Sequence, residues 1–322
     1  MPELPEVETI RKQLEGVLVG QLVKNVEVRR EKSWEGNVEK VVGKEIRSVE
    51  RKGKMLIVGL ESTKQSIPGY TRLRQLADPP RSRDLNKDWF RASSYLLVHL
   101  KMTGQLIYEV KSKKRKVKST ERVVGGHPTI DWISELPSKH TRVIVQLNRG
   151  TLYFNDQRVF GWMRVAGRLK VKGLREKMPA DVIDREMTRE KFYKILQGSS
   201  RAVKLVVMDS TKIGGAGNIY ANDGLWLARI DPRTKARDLS KSKSDKLLAA
   251  LKEVVNRGIR YGGATASDDK YVNTSGLGGR YQEHFLVYER EGERCKRKGC
   301  KGLIKKIKIG GRGTYYCPEC QR

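Results

Sequence analysis

Residues 295–320 read CKRKGCKGLIKKIKIGGRGTYYCPEC. All four cysteines of the chain, Cys295, Cys300, Cys317 and Cys320, lie here as two tight pairs around a sixteen-residue spacer. Four thiolates are the donor set of a closed tetrahedral Zn²⁺ site, and two such pairs flanking a hairpin make a zinc ribbon. No coordination position remains for water, so the expectation is one structural zinc ion with no part in chemistry. Clustering at one end of a cytosolic-looking chain favours metal over disulfides. From Arg294 through Pro318 there is no acidic residue. A stapled hairpin coated in Lys and Arg suits DNA, whereas a protein-binding ribbon fits this charge poorly.

The same bias runs through the whole chain of 322 residues, where 67 Lys and Arg face 37 Asp and Glu for a net charge of +30. Like charges repel in the compact state, so such an excess adds nothing to folding. A polyanionic partner compensates it, because each neutralised phosphate releases condensed counterions. A ribosome-associated protein or a merely basic surface would also carry this charge. Hydrophobic residues reach 38%, enough for packed cores, and the length allows two ordinary domains. No run of about eighteen apolar residues exists, so no membrane helix is expected. The opening MPELPEVETI is acidic and has no hydrophobic signal core, which points to the cytoplasm.

Upstream of the ribbon the chain changes character twice. Residues 4 to 14 carry Val7, Ile10 and Leu14 at helical spacing. Short β-type runs follow at Leu22–Val28, Met55–Leu60, Tyr95–Leu100, Arg142–Leu147 and Thr151–Asn155, with a hairpin turn at Asn148-Arg149-Gly150. Many short strands favour a sandwich or barrel. Two stretches, 61–94 and 110–138, read as long loops or insertions. The second contains KSKKRKVK (111–118), either a solvated hairpin tip or a DNA contact. From about Arg175 the pattern is helical, with Thr188 as an N-cap for Arg189 to Gln197. Leu247, Leu248, Leu251, Val254 and Val255 form an amphipathic stripe. Gly214-Gly215-Ala216-Gly217-Asn218 is a glycine-rich turn entering a helix, which either receives a phosphate or lets helices cross closely.

The N-terminus allows a specific chemistry. Removal of Met1 would expose the secondary amine of Pro2, and an α-amine with pKa about 7.7–8.0 is partly neutral at pH 7. Such an amine attacking a sugar C1′ gives an iminium, an electron sink for later eliminations. Glu3 is placed to pass protons, and Glu6 lies one helical turn further on the same side. The same residues also read as a plain helix start, with Pro and acid in the first turn.

MPELPEVETI resembles the opening of the formamidopyrimidine-DNA glycosylase / endonuclease VIII family, and further segments match in family order. Arg51-Lys52-Gly53-Lys54 resembles its lysine loop, His99-Leu100-Lys101-Met102-Thr103-Gly104 its HLxMTG segment, and Asn155 to Gly161 its NDxRxFG loop. Met208-Asp209 through Ala221 resembles the helix–two-turns–helix element, and Gly311 to Pro318 the zinc-finger hairpin. The first cysteine pair is spaced x4 where the family usually has x2, Val159 replaces a commonly basic residue, and both insertions are longer than usual.

The resemblance implies an α+β fold. Its N-terminal helix and β-sandwich lobe would occupy 1–174, a helix–two-turns–helix DNA-binding lobe 175–290, and the Cys₄ zinc finger 291–322. It implies a bifunctional glycosylase and abasic-site lyase of base excision repair, monomeric and acting on damaged double-stranded DNA, at the nucleoid if the source is prokaryotic. Pro2 would be the Schiff-base nucleophile and Glu3 the proton donor, with Lys54 serving β-elimination and Arg312 δ-elimination. Met102, Arg158 and Phe160 would fill the gap left by base extrusion. Asn218 and Lys204 would bind phosphates, and His99 and His140 would touch the DNA backbone. Read alone, Met102 and Phe160 would sooner be core residues, and His99 a satisfied core histidine. The stretch Asp269 to Gly276 before Arg280-Tyr281-Gln282 resembles the lesion-capping loop of the oxidised-purine branch. Rival readings are an oxidised-pyrimidine glycosylase and a non-catalytic damage-binding zinc protein; an intact Pro2 and Glu3 argue against the last.

Overall fold

The computed structural model describes residues 2–62, 92–110, 122–127, 129–264 and 279–322. The KSKKRKVK run and the 269–276 stretch lie outside the described residues. By contacts the described chain forms two compact units, one of Pro2 and 7–176, the other of 3–6, 177–264 and 279–322. Among the described residues, no helix is long and apolar enough to cross a membrane.

Among the described residues the first unit holds most of helix α1 (Leu4–Leu18) and ten strands. In chain order these are β1 (Val23–Val28), β2 (Trp34–Glu35), β3 (Lys44–Lys52), β4 (Met55–Ser62), β5 (Ser94–His99), β6 (Gly104–Val110), β7 (Arg122–Gly126), β8 (Thr141–Leu147), β9 (Gly150–Asp156) and β10 (Trp162–Ala166). They make two five-stranded sheets, ordered β1-β8-β9-β6-β7 and β2-β10-β5-β4-β3. Every pairing is antiparallel except β10 with β2. One apolar core takes side chains from both sheets and from Val7, Ile10, Leu14 and Leu18 of α1. That shared core makes a sandwich, since each sheet buries one face against the other.

The stretch 122–138, read as part of an insertion, belongs to this sandwich. Strand β7 pairs with β6, and a 3₁₀ turn at Ile130–Trp132 follows it. Trp132 and Val124 then pack on Ile107, Ile144 and Tyr153 as a second small core.

The second unit is helical, with α2 (Arg168–Lys177) leading into it, then α3 (Arg189–Gln197), α4 (Val203–Val207), α5 (Asn218–Leu227) and α6 (Lys241–Arg260). Thr188 caps α3 by accepting from Lys191 N, and Ser240 caps α6 by accepting from Lys243 N. The predicted leucine and valine stripe of α6 is buried in full. Strands β11 (Lys305–Ile309) and β12 (Arg312–Tyr316) form the hairpin between the cysteine pairs. Residues of the finger pack on the helical core. Cys295, Ile304, Tyr315 and Cys317 are buried in one cluster with Tyr220, Leu225, Leu251 and Val287.

Candidate active site and metal centre

Glu3 is built into the second unit. Its carboxylate is 7% exposed and accepts from the Asn218 backbone N–H at 2.6 Å, at the first residue of α5. A helix N-terminus leaves N–H groups unsatisfied and favours negative charge there, so the carboxylate is held where the helix needs an acceptor. The approach depends on Gly217, where an added Cβ would sit 1.9 Å from the Glu3 carboxyl carbon. Glu6 fixes the segment from below. One of its oxygens accepts from Tyr220 OH at 2.8 Å and Ala264 N at 2.7 Å, and the other from Glu3 N at 2.8 Å.

Lys204 was expected at a phosphate, yet it is 0% exposed. Its ammonium donates to Gly313 O at 2.8 Å and to Thr314 Oγ1 at 2.7 Å, so it ties α4 to the ribbon hairpin. Burial, then the charge of Arg312, brings its pKa down to about 7, with Glu3 opposing them. Glu3, Lys204 and Arg312 therefore share one electrostatic neighbourhood. Arg312 is exposed at the hairpin tip, just after Gly310 and Gly311. Asn218 holds the helix start, its carbonyl accepting from Asn222 Nδ2.

The remaining expected residues belong to the first unit. Pro2 is buried. Lys54 occupies the two-residue turn between β3 and β4, after Gly53 at φ +57°. His99 ends β5 and accepts from Lys101 N through Nδ1 at 3.0 Å. Burial first, then the charges of Lys101 and Lys54, hold its pKa down to about 4. The ring is thus neutral at pH 7 with its proton on Nε2, a donor without a charge.

Met102 and Phe160 are 42% and 47% exposed, which removes the reading that they are core residues. Arg158 lies between them: Nη1 is 3.4 Å from Met102 Sδ, and the guanidinium sits 4.9 Å from the Phe160 ring centroid. The tip is shaped by Asp156, a buried carboxylate whose role the sequence did not signal beyond its place in the motif. Oδ1 accepts from Thr103 Oγ1 and from Arg158 N at 3.2 Å, and Oδ2 from Phe160 N at 2.8 Å and Gly161 N at 2.6 Å. His140 N is bonded to Ser138 Oγ, its carbonyl accepts from Asp156 N at 2.9 Å, and its ring Nδ1 lies 2.9 Å from Asp131 Oδ2.

The four cysteine sulfurs lie within 4.8 Å of one another. Four sulfurs about 2.3 Å from one ion stand about 3.8 Å apart in a tetrahedron. Cys295 to Cys320 is 3.8 Å and Cys300 to Cys317 is 3.6 Å, so the donor set fits zinc. Trp226 Nε1–H donates to Cys295 Sγ at 3.3 Å, an outer partner that orients a ligand. The longer x4 knuckle keeps all four ligands together.

Comparison with known proteins decides the family. The model of the formamidopyrimidine-DNA glycosylase N-terminal domain matches residues 1–163. The chain belongs to the formamidopyrimidine-DNA glycosylase family. That family's H2TH domain model matches residues 178–270, and the zinc finger found in FPG and IleRS matches 292–322. The formamidopyrimidine-DNA glycosylase of Pelotomaculum thermopropionicum is 34% identical over 100% of this chain and 99% of its own. That of Thermus thermophilus is 30% identical over 100% and 98%. Among solved structures, a Lactococcus lactis Fpg in complex with abasic-site DNA has a TM-score of 0.75 at 26% identity, covering all of both chains. The MutM (FPG) protein of Thermus thermophilus has a TM-score of 0.73 at 29% identity, covering 99% of this chain and 98% of its own.

Proposed function

We propose that this chain is a bifunctional DNA glycosylase and abasic-site lyase of base excision repair. Its substrates are oxidised purines, 8-oxoguanine and formamidopyrimidines, in double-stranded DNA. The observation that carries the reading is Glu3. Its carboxylate is buried on the α5 N-terminus in the neighbourhood of Lys204 and Arg312, and it directly follows the residue whose amine would react. A carboxylate kept for a plain helix start would not need position 217 bare of a β-carbon, which would lie 1.9 Å from its carboxyl carbon. Membership of the family and the DNA complexes of the Lactococcus lactis relatives support the same reading.

In this mechanism the Pro2 amine, freed of Met1, attacks C1′ of the damaged nucleotide. The bond from C1′ to the base breaks, and Glu3 supplies the proton that the departing base takes up. The nitrogen gives up its proton, and the C1′–O4′ bond opens with O4′ taking up a proton. The nitrogen then shares its lone pair with C1′ as an iminium, which acidifies the C2′ protons. Loss of one of them expels the 3′ phosphate in β-elimination, with Lys54 engaging that phosphate. A second elimination expels the 5′ phosphate, with Arg312 engaging it, and phosphate-terminated ends remain. Met102, Arg158 and Phe160 fill the gap in the duplex, and His99, His140 and Asn218 hold its backbone. Zinc, held by Cys295, Cys300, Cys317 and Cys320, organises the ribbon and leaves the chemistry to these side chains. The enzyme acts as a monomer, in the cytoplasm where its DNA lies.

Borohydride trapping on duplexes carrying 8-oxoguanine, an abasic site or thymine glycol tests this. The expected adduct forms on the first two and maps to the N-terminal tryptic peptide. Adding a residue before Pro2, or Pro2→Gly, abolishes it or cuts it severely. An adduct on Lys54 with Pro2 blocked refutes the nucleophile, and faster thymine glycol cleavage moves the protein to the pyrimidine branch.

A further inference from the structure

The two histidines proposed at the DNA backbone are wired in opposite senses. His99 Nδ1 accepts a backbone N–H, so its proton sits on Nε2 and the neutral ring is already a donor. His140 Nδ1 instead meets Asp131 Oδ2 at 2.9 Å. An ionised carboxylate only accepts, so His140 Nδ1 carries the proton in that bond. Neutral His140 then has a bare lone pair on Nε2, which repels a phosphate oxygen. Only the imidazolium donates at both nitrogens.

Asp131 is itself held in place. Its carboxylate is 4% exposed, and its N–H donates to Thr129 Oγ1 at 3.2 Å. That hydroxyl also accepts from Gln105 Nε2 of β6 at 2.7 Å. The His140 ring is 19% exposed, and its backbone carbonyl accepts from the N–H of Asp156, the residue that shapes the Met102, Arg158 and Phe160 tip. The other charges around it are Lys139 beside it in the chain and Arg142, whose guanidinium donates to Lys139 O and Asp156 O. Asp131 faces the ring itself; the Asp156 carboxylate is occupied by the tip.

We propose that Asp131 is a positioning residue that makes His140 grip a DNA phosphate as an imidazolium, so that binding of the duplex takes up a proton. The proton comes from solvent and goes to His140 Nε2, which donates it to the phosphate oxygen. This rests on the function proposed above, in which His140 contacts the backbone. It goes further by coupling that contact to pH through a segment the sequence presented as an insertion.

The test is calorimetric titration with a duplex carrying tetrahydrofuran, an abasic-site analogue without the C1′ hydroxyl, which cannot form the covalent adduct. Runs at pH 7.5 in buffers of different ionisation enthalpy give the protons taken up. The expected result is net uptake by wild type, lost in both Asp131→Asn and His140→Gln. The slope of log affinity against log salt should steepen by about 0.9 from pH 8 to pH 6, one phosphate contact, in wild type only. Imidazole ¹⁵N shifts of the free protein should show the His140 proton on Nδ1, a readout independent of the variants' folding. Tight binding by wild type without proton uptake overturns the proposal and leaves the glycosylase reading intact. Uptake lost in His140→Gln but kept in Asp131→Asn overturns the role of Asp131. No binding of the duplex by wild type overturns the function reading itself.

Discussion

Gly217 stands where any β-carbon would lie 1.9 Å from the carboxyl carbon of Glu3. The backbone there, φ −87° and ψ −170°, is one any residue adopts, so the clash alone makes glycine necessary. Gly217→Ala should therefore push Glu3 off the α5 N-terminus while leaving the helix formed. Base release under single-turnover conditions should fall about 10²-fold or more, the scale of a displaced general acid. Affinity for the abasic analogue should change little. Gly16→Ala in α1, where an added methyl meets nothing within 4 Å, is the control and should stabilise by about 0.5–1 kcal/mol. Wild-type base release from Gly217→Ala would show that Glu3 need not sit where it does.

His99 predicts a pH effect on stability. Its folded pKa of about 4 lies below the ordinary 6.5, so the folded state resists protonation and the unfolded chain binds the extra proton. The stabilisation is complete above about pH 6.5 and is lost as pH falls toward 4. Acid titration of thermal stability in wild type and His99→Gln should show the wild type declining more steeply in that window. Parallel curves would contradict the neutral ring.

Removing the metal should reach beyond the ribbon. Cys317 is 0% exposed and packs in one cluster with Tyr220 and Leu251, so Cys317→Ser disturbs the helical unit's own core. A loss of about 4 kcal/mol is the scale of losing a metal or a buried network. For a unit near this size it lowers the melting midpoint by about 8–16 °C. Zinc content and duplex affinity should both fall, measured by metal analysis and titration. Full zinc occupancy with normal affinity would refute the ribbon.

Arg158 predicts opposite-base discrimination. A guanidinium entering the gap meets acceptors at O2 and N3 of an orphaned cytosine, whereas adenine presents a donor at N6. Wild type should cleave 8-oxoguanine faster opposite C than opposite A, a preference of about 1–3 kcal/mol if the contact is bidentate. Arg158→Ala should lose that preference more than it loses activity on a pre-made abasic site. Equal wild-type rates opposite the two bases would remove this role.

What could be read from residue order divides by the range of the interactions involved. The β8–β9 hairpin, the Thr188 cap and the α6 stripe are local patterns, and each is where the sequence placed it. Strand β3, KEIRSVERK, gives no such signal because only Ile46 and Val49 are buried among its charges, too sparse to show a period of two. Strand β7 ends in Gly125-Gly126 and reads as part of a loop, although its pairing with β6 is continuous. In the site, the places proposed for Glu3, Lys54 and Arg312 come from motifs. The part Asp156 plays at the tip was not legible, because it depends on Thr103, brought close by the β6–β9 pairing. Lys204 was placed at a phosphate through the resemblance alone, and its bonds to Gly313 and Thr314 could not be read from residue order.

Because four groups converge on the Asp156 carboxylate, the conformation of the Arg158 tip is set when the sandwich folds. In the role proposed for it, this tip need not order itself at the moment of contact, and that entropy does not weigh against each encounter. A repair enzyme meets vast lengths of intact duplex for every lesion. A tip held in shape in this way would test each step at the speed of sliding, with base-stacking strength limiting how readily it enters the duplex.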